Sequence, residues 1–318
     1  MASKVVEYKE KISNVGSSVL RFFFGNRGQN GMMLKAFIYI LLIGIGFVYL
    51  YPLLYMGSYS LKSLSDILNP LVNWIPTQLY LDNYGRANDV LKFLPTLVQT
   101  LYVTVLPAVV QTVVAAVIGY GFARFEFPFK KTLIVFVLAT FIIPPQLTMI
   151  PRYVFFNELG ILGNIQSFLI PASLGQGINS AIFILIFYQF FRMIPKSLEE
   201  AAQLDGAGYF RIFFTIAIPM AVPAFIISFL FSFVWYWNET YLAALYFGNS
   251  LTTLPLELNK FVATYNQLYA GADGTDSNIN EGIRMAGTVL TILPLLIVYF
   301  LTQKWFVEGI DRSGITGE

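Results

Sequence analysis

The chain has 318 residues, of which 56% are hydrophobic and only 12% are charged, and its formal net charge is +2. A soluble domain carries about twice that charged fraction, so a soluble globular protein is excluded, and the small net charge gives no reason to expect a nucleic-acid partner. The sequence contains neither Cys nor His, which excludes disulfides, thiol chemistry and imidazole metal sites.

Six long stretches without a charged residue follow one another along the chain. A helix needs about 20 apolar residues to cross the hydrocarbon core, and runs of this length do not fit the short alternating strands of a membrane barrel. The sequence therefore predicts an all-α, polytopic membrane protein with six transmembrane helices. The stretches are bounded by Lys35 and Lys62, Lys92 and Arg124, Lys131 and Arg152, Glu158 and Arg192, Arg211 and Glu239, and Arg284 and Lys304.

The predicted organisation has three parts. Residues 1–33 form a basic N-terminal segment, interpreted as a tail, with an amphipathic helix at the membrane surface as the alternative. Residues 34–304 form the six-helix membrane domain, with a polar insert at 194–213, and residues 305–318 form a polar tail. The first apolar run is too long for a cleaved signal peptide and lacks an Ala-x-Ala-type cleavage site, so it is expected to be retained.

Prolines interrupt two of the predicted spans. Span 3, at about 131–151, contains Pro144-Pro145, and the start of span 5 contains Pro219 and Pro223. Proline removes a backbone donor and bends a helix. These bends can be hinges or static kinks filled by neighbouring helices. Span 4 is expected within 166–192.

The loop charges predict the orientation. With the N-terminus inside, the inner segments carry 14 Lys and Arg residues and the outer segments carry 6. Because positive loops remain in the cytoplasm, both termini and the insert are predicted to be cytoplasmic.

Several kinds of site are missing from the sequence. There is no G-x-x-x-x-G-K-[ST] loop, so the chain is expected to lack an ATP site of its own. Glu239 is the single carboxylate near a span, which argues against a proton-driven carrier, although a sodium site made of backbone carbonyls would leave no such trace. A membrane-embedded enzyme would need a cluster of catalytic side chains in or near the spans, and the sequence has no such cluster.

The polar insert has the pattern of two short helices. Ser197 and Glu200 fit a capping box at the start of the first helix. Asp205 is predicted to cap the second helix, and Gly206 is predicted to supply the bend between the two. The face made by Leu198, Ala201 and Ala202 is flat, so another protein could approach it closely.

At this point the chain resembles a known family. Glu200-Ala-Ala-x-x-Asp-Gly-Ala207, followed by Pro219 and Pro223, is similar to the signature loop of permease subunits of ATP-binding-cassette importers. Together with further motifs, it resembles the carbohydrate-uptake branch, in the group of the smaller maltose-importer permease, over about residues 35–318. The further motifs are Asn83-Tyr84, Gly119-Tyr-Gly-Phe-Ala-Arg124, Pro144-Pro145 with Ile150-Pro151, Ile194-Pro195, Trp237-Asn238-Glu239 and Gln303-Lys-Trp-Phe-Val-Glu-Gly309.

The resemblance implies a type I importer permease fold and a set of partners. An extracytoplasmic solute-binding protein would deliver an oligosaccharide, a second homologous permease would complete a heterodimeric path, and two cytoplasmic ATPase subunits would use ATP and Mg. This chain itself would not be an enzyme and would bind no cofactor. It would lie in a bacterial inner membrane, in contact with lipid. The implied ATPase-coupling residues are Leu198, Glu200, Ala201, Ala202, Asp205, Gly206 and Ala207.

Three positions depart from the family pattern. At the start of span 2 the family usually has Asn followed by Ser or Thr, whereas this chain has Gln99-Thr100. Glu239 stands where the family usually has Asp, and Thr316 stands where its tail usually has Lys. The last change puts in doubt any tail contact that requires a cation.

Aromatic and amide residues near the outer end of span 5 are candidates for the sugar path. Trp235 and Asn238 share one helical face and are assigned to the cavity together with Tyr236, whereas Trp237 is expected to face lipid or the partner. The alternative is an interfacial aromatic belt. A permease for a non-sugar solute and a secondary carrier remain as rival interpretations.

Overall fold

The computed structural model describes residues 25–26, 29–269 and 279–314. The predicted N-terminal tail lies largely outside these residues, as does Thr316. A two-residue antiparallel pair, β1 and β2, precedes sixteen helices in the described part of the chain. In chain order the elements are β1 (Gly25–Asn26), β2 (Gln29–Asn30), α1 (Met32–Ser60), α2 (Leu64–Leu68), α3 (Asp82–Leu91), α4 (Phe93–Arg124), α5 (Lys130–Ile142), α6 (Pro145–Glu158), α7 (Gln166–Ser173), α8 (Ser180–Met193), α9 (Lys196–Leu204), α10 (Tyr209–Ile212), a π-helical turn (Phe213–Ala217), α11 (Ile218–Met220), α12 (Val222–Asn238), α13 (Tyr241–Phe247), α14 (Leu254–Asn259), α15 (Phe261–Leu268) and α16 (Glu281–Gly314).

The prediction of six membrane spans is confirmed, and the spans are of two kinds. Three helices, α1, α4 and α16, are each long and apolar enough to cross a membrane alone. The other three spans contain bends: α5 meets α6 at 97°, α8 meets α9 of the polar insert at 68°, and the helical segment 209–220 meets α12 at 73°. The helix of the last span continues to Gly314, so much of the predicted polar tail is helical.

The bend in span 3 follows from its two prolines. Ile143, which precedes Pro144, is extended, with ψ 121°, as expected for a residue before proline. Pro145 then opens α6 at the first helical turn, where its missing N–H costs nothing. The break predicted at Pro144-Pro145 within span 3 is therefore confirmed, since α5 ends after 13 residues, directly before the prolines.

Span 4 is interrupted where the sequence contains no proline. A turn at 174–179 separates α7 from α8, and it has left-handed backbone at Gly175 (φ 71°) and Asn179 (φ 53°). A non-helical segment inside the hydrocarbon region is tolerated where it is surrounded by protein or lines a water-filled cavity. The predicted span at 166–192 thus divides into two helices.

Helix α4 lies at the centre of the bundle and packs against α7, α8 and α12. Close approach to α8 depends on Gly119, where a Cβ atom would lie 2.6 Å from the Cβ of Phe187. Buried aromatic rings pack around both halves of α4, among them Phe187 and Phe191 near its C-terminal end and Phe168 and Trp237 near its N-terminal end. Small residues at such contacts are typical of helices packed in membranes.

The segment between α1 and α3 is held by a buried lysine. Lys62 is fully buried, its Nζ donates to the carbonyls of Val72 (3.2 Å) and Asn73 (2.5 Å), and it lies 4.0 Å from the centroid of the Tyr59 ring. Asp66 nearby accepts from Thr77 N and Oγ1. These contacts fold the loop back onto the end of α1.

Candidate functional site

The first helix of the insert begins earlier than its predicted cap. Pro195 occupies the N-cap position, with no side-chain cap, and Lys196 is the first residue of α9. The predicted capping box of Ser197 and Glu200 is therefore wrong. Pro195 already directs the chain out of α8, with φ −58° and ψ 128°, so Ser197 falls inside the helix.

The second helix also starts in a different way from the prediction. Asp205 is the C-cap of α9, and Gly208 is the N-cap of α10, so the predicted capping role of Asp205 is wrong. Gly206 has φ 81°. The N–H of Gly206 bonds the Gln203 carbonyl and the N–H of Ala207 bonds the Ala202 carbonyl, both at 2.9 Å. This is a Schellman end, and it confirms the predicted bend at Gly206.

The helix α9 presents apolar side chains to the surroundings. Leu198 is 44% exposed and Leu204 is 90% exposed, and Ala201 between them is exposed as well. Phe210, which follows in α10, is 83% exposed. We call these four residues the loop surface. Of the predicted flat face, Leu198 and Ala201 are exposed, and Ala202 turns partly toward the body of the protein.

The opposite side of α9 is fastened to α4 by an ion pair. Arg124 Nε lies 2.7 Å from Glu199 Oε1, and the two side chains are only 5% and 12% exposed. Arg124 Nη2 also donates to the Ile194 carbonyl at 2.8 Å. A charged pair with this little exposure depends on both partners, so the last residue of α4 is tied to the first turn of α9.

Aromatic rings extend this link to the far side of the insert. The ring of Tyr120, one turn before Arg124, lies 5.2 Å from Phe191 at the end of α8 and 4.7 Å from Phe213 after α10. Phe125 lies 5.4 Å from Tyr209. The C-terminal end of α4 therefore contacts the chain both before and after α9.

An exposed ion pair lies on the neighbouring turn. Lys130 Nζ is 2.9 Å from Glu126 Oε1, and the hydrogen bond from Lys130 lowers the pKa of the Glu126 carboxyl. Since Glu126 is exposed, this pair contributes little to stability.

A cavity of about 250 Å³ with a mixed polar and apolar lining lies between α5, α6, the 174–179 turn and the end of α12. Two charged side chains, Arg152 and Glu239, line it. Five uncharged polar side chains also line it: Thr140, Thr148, Gln176, Asn179 and Ser180. Six apolar side chains and two glycines complete the lining: Phe141, Ile143, Pro145, Ile178, Ala181, Leu242, Gly175 and Gly177.

A buried hydrogen-bond network supports the turn behind this cavity. The Tyr236 hydroxyl donates to Gln111 Oε1 at 2.8 Å, and Gln111 Nε2 donates to the Ile178 carbonyl at 2.8 Å. Gly177 lies against both side chains, since a Cβ atom there would be 2.1 Å from Gln111 Oε1. The turn thus has a defined position although it is not helical.

The structure separates the residues that were assigned to the sugar path. Tyr236 is buried behind the cavity and lines a smaller space beside it. Trp235 packs on Phe183, with ring centroids 5.1 Å apart, and the exposed Asn238 donates to the Val234 carbonyl. Neither Trp235 nor Asn238 lines the larger cavity.

The expectation that Trp237 faces lipid or a partner is wrong. Its side chain is 2% exposed and packs against Phe233 in the core. Trp237 belongs to a buried hydrophobic cluster to which several elements contribute.

Two features of the site were not identified from the sequence. Arg124 was noted as the end of a motif, but its pairing with Glu199 depends on the fold. The polar lining at Gln176 and Asn179 had a signal in the Gly-x-Gly-x-Asn spacing of 175–179, which favours a turn. Among the described residues, no group of three or more acidic side chains could hold a metal ion.

Comparison with known proteins identifies the family. The family model described as "Binding-protein-dependent transport system inner membrane component" matches residues 115–312, which is more than half of the chain. The chain is 31% identical to the osmoprotective compounds uptake permease protein GgtD of Synechocystis sp., over 87% of this chain and 91% of GgtD.

A second relative and a solved structure are also similar. The melibiose/raffinose/stachyose import permease protein MelC of Bacillus subtilis is 26% identical, over 84% of this chain and 91% of MelC. A chain from the crystal structure of a bacterial ABC transporter that imports the acidic polysaccharide alginate matches with a TM-score of 0.73 and 27% identity, over 86% of this chain and 97% of that chain. The chain therefore has the fold of an ABC importer permease. It belongs to the family of binding-protein-dependent transport system inner membrane components.

Proposed function

We propose that this chain is one of the two permease subunits of an ATP-driven oligosaccharide importer in a bacterial inner membrane. Family membership supports the importer class. The names of the relatives that import melibiose, raffinose, stachyose and alginate support a sugar.

The observation that carries the coupling role is the two-sided character of α9. One side presents the exposed loop surface, and the other is tied to α4 by the Arg124–Glu199 pair. An ATPase subunit that binds Leu198 and Ala201 therefore moves α9 and α4 as one unit. The neighbouring residues Glu200, Ala202, Asp205, Gly206 and Ala207 complete the coupling element.

The remaining partners follow from this role. A second homologous permease completes the path, two ATPase subunits bind ATP and Mg, and an extracytoplasmic binding protein delivers the solute. This chain itself binds no cofactor. Both of its termini and α9 lie in the cytoplasm, which the 14-to-6 division of positive loop residues supports.

The test is reconstitution of the complete complex in vesicles with its binding protein. Uptake is measured for raffinose, maltotetraose, arabinotriose and trigalacturonate, each with and without ATP. We expect ATP-dependent uptake of at least one sugar and ATP hydrolysis stimulated by the loaded binding protein. Uptake that persists after the ATPase subunits are removed would instead identify a secondary carrier.

A non-sugar solute is the second candidate, because GgtD is named for osmoprotective compounds. Glycine betaine in the same assay represents this class. Uptake of glycine betaine without uptake of any sugar would replace the oligosaccharide assignment and retain the importer.

A further inference from the structure

The cavity next to the 174–179 turn lies within the membrane domain, well away from the cytoplasmic insert. Helix α8 connects the turn to the cytoplasmic insert through 14 residues, which is about 21 Å at 1.5 Å per residue. Gln111, which supports the turn, lies 13 positions before Arg124 at the end of α4. At 1.5 Å per residue this is also a distance of about 20 Å from the cytoplasmic side. In a hydrocarbon core of about 30 Å, the cavity is in the outer half.

The lining of the cavity has both donors and acceptors. Arg152 supplies guanidinium donors, and Glu239 supplies carboxylate oxygens, one of which accepts from the N–H of Leu242. The amide side chains of Gln176 and Asn179 are exposed to the cavity and can both donate and accept hydrogen bonds. Charged groups at this depth are costly and mark transport paths.

The charges of the lining are balanced. Arg152 and Glu239 are the two ionisable side chains among the lining residues, one of each sign. A cavity selective for a carboxylate would need an excess of positive charge. Hydroxyl groups, which donate and accept hydrogen bonds, match the polar part of a lining that offers both donors and acceptors.

The backbone of the site is organised in advance. Gln111 and Tyr236 hold Ile178 in place, and Gly177 leaves no room for a side chain on the buried side. A site that is rigid before binding loses less free energy when a ligand is ordered. The volume of about 250 Å³ is below the roughly 300–1,000 Å³ typical of pockets that enclose a drug-sized ligand, so it admits part of an oligosaccharide.

From these observations we infer that the cavity is a subsite on the transport path for one neutral glycosyl unit, whose hydroxyls are bound by Arg152, Gln176, Asn179 and Glu239. This inference rests on the proposed function. It assigns to this chain direct contacts with the sugar, at residues other than Trp235 and Asn238.

The first experiment uses the absence of Cys from the chain. Gln176→Cys is placed in the reconstituted complex and labelled with a water-soluble thiol reagent, with Gln166→Cys, an exposed residue at the start of α7, as the control. The probe is the panel sugar that the wild-type complex transports. We expect the neutral sugar to slow labelling at position 176 several-fold and to leave position 166 unchanged.

The second experiment compares uptake with ATP hydrolysis. Gln176→Ala and Glu239→Gln should lower uptake of that sugar about tenfold, while the hydrolysis stimulated by the loaded binding protein stays within about twofold of wild type. Gln166→Ala should match wild type in both.

Three outcomes would overturn the inference: equal labelling of Gln176→Cys with and without the sugar, equal uptake by Gln176→Ala and Gln166→Ala, or protection by trigalacturonate in place of the neutral sugars. Failure of the proposed function would be seen separately, as a lack of ATP-dependent uptake of every sugar by the wild-type complex.

Discussion

Two glycines near the C-terminal end of α4, Gly119 and Gly121, occupy very different surroundings. A Cβ atom at Gly119 would lie 2.6 Å from Phe187 Cβ and 2.9 Å from the Tyr188 nitrogen, whereas no atom lies within 4 Å of one at Gly121. Because the clash is with the adjacent helix, α8 would have to shift.

Gly119→Ala is therefore expected to destabilise the protein by about 1–3 kcal/mol, the usual cost of overpacking. Gly121→Ala should be neutral or stabilising, since Ala is favoured over Gly in a helix by about 0.8–1.0 kcal/mol. Thermal unfolding in detergent measures both. Equal midpoints for the two variants would show that α8 adjusts without cost.

The Arg124–Glu199 pair gives a second prediction for single residues. Glu199→Gln leaves the buried guanidinium without its carboxylate, and breaking a buried pair in this way costs about 3–5 kcal/mol. The expected result is a lower unfolding temperature, with Glu200→Gln, at an exposed neighbour, as the control.

The double variant Arg124→Met/Glu199→Met should recover much of that loss, because it leaves no unpaired charge. If Glu199→Gln and Glu200→Gln unfold at the same temperature, the ion pair does not stabilise the contact between α4 and α9.

At the scale of elements, the bend after α9 depends on the backbone of Gly206. No atom lies within 4 Å of a Cβ atom built there, so the effect of a substitution comes from the φ of 81° alone. Gly206→Pro requires φ near −65° and cannot form the Schellman end.

Gly206→Pro is expected to abolish stimulated ATP hydrolysis and uptake in the complex, and Gly206→Asn should retain most of both because Asn tolerates left-handed backbone. The amount of complex in the membrane is measured alongside. Full coupling in Gly206→Pro would rule out a need for this bend.

The sequence predicts some of these elements better than others. The bends at Pro144 and Pro219–Pro223 could be read from proline chemistry. The break at 174–179 was missed because its signal is a Gly-x-Gly-x-Asn spacing inside an uncharged stretch, where hydropathy alone favours a continuous helix. The capping box failed because Pro195 and Ser197 both fit the start of a helix and only the path of the chain out of α8 decides between them.

For the molecule as a whole, the predicted orientation can be tested with two exposed serines. Ser197 lies in α9 and Ser250 lies between α13 and α14. In intact cells, a membrane-impermeant thiol reagent should label Ser250→Cys and leave Ser197→Cys unlabelled until the membrane is opened. The reverse pattern would invert the topology.

The number of spans and the family could be predicted from charge spacing and the signature loop, since both are properties of short sequence segments. The cavity could not, because Arg152, Gln176 and Glu239 come together from three separate elements. The hydrophobic pattern also does not show which aromatic residues of 235–237 are buried within the chain, so the prediction for Trp237 is wrong.

The first span differs from the other continuous spans in one respect, which affects how the protein responds to force. No residue in the most apolar stretch of α1 is buried within the chain, and its main neighbour is α16. When a single molecule is pulled from its N-terminus, α1 should leave as an independent unit at low force, before the remaining spans. The pulling force should first rise at the contacts that fasten the end of α1 to the segment between α1 and α3. These are made by Lys62 and by Tyr51, whose ring centroid lies 5.3 Å from that of Trp74.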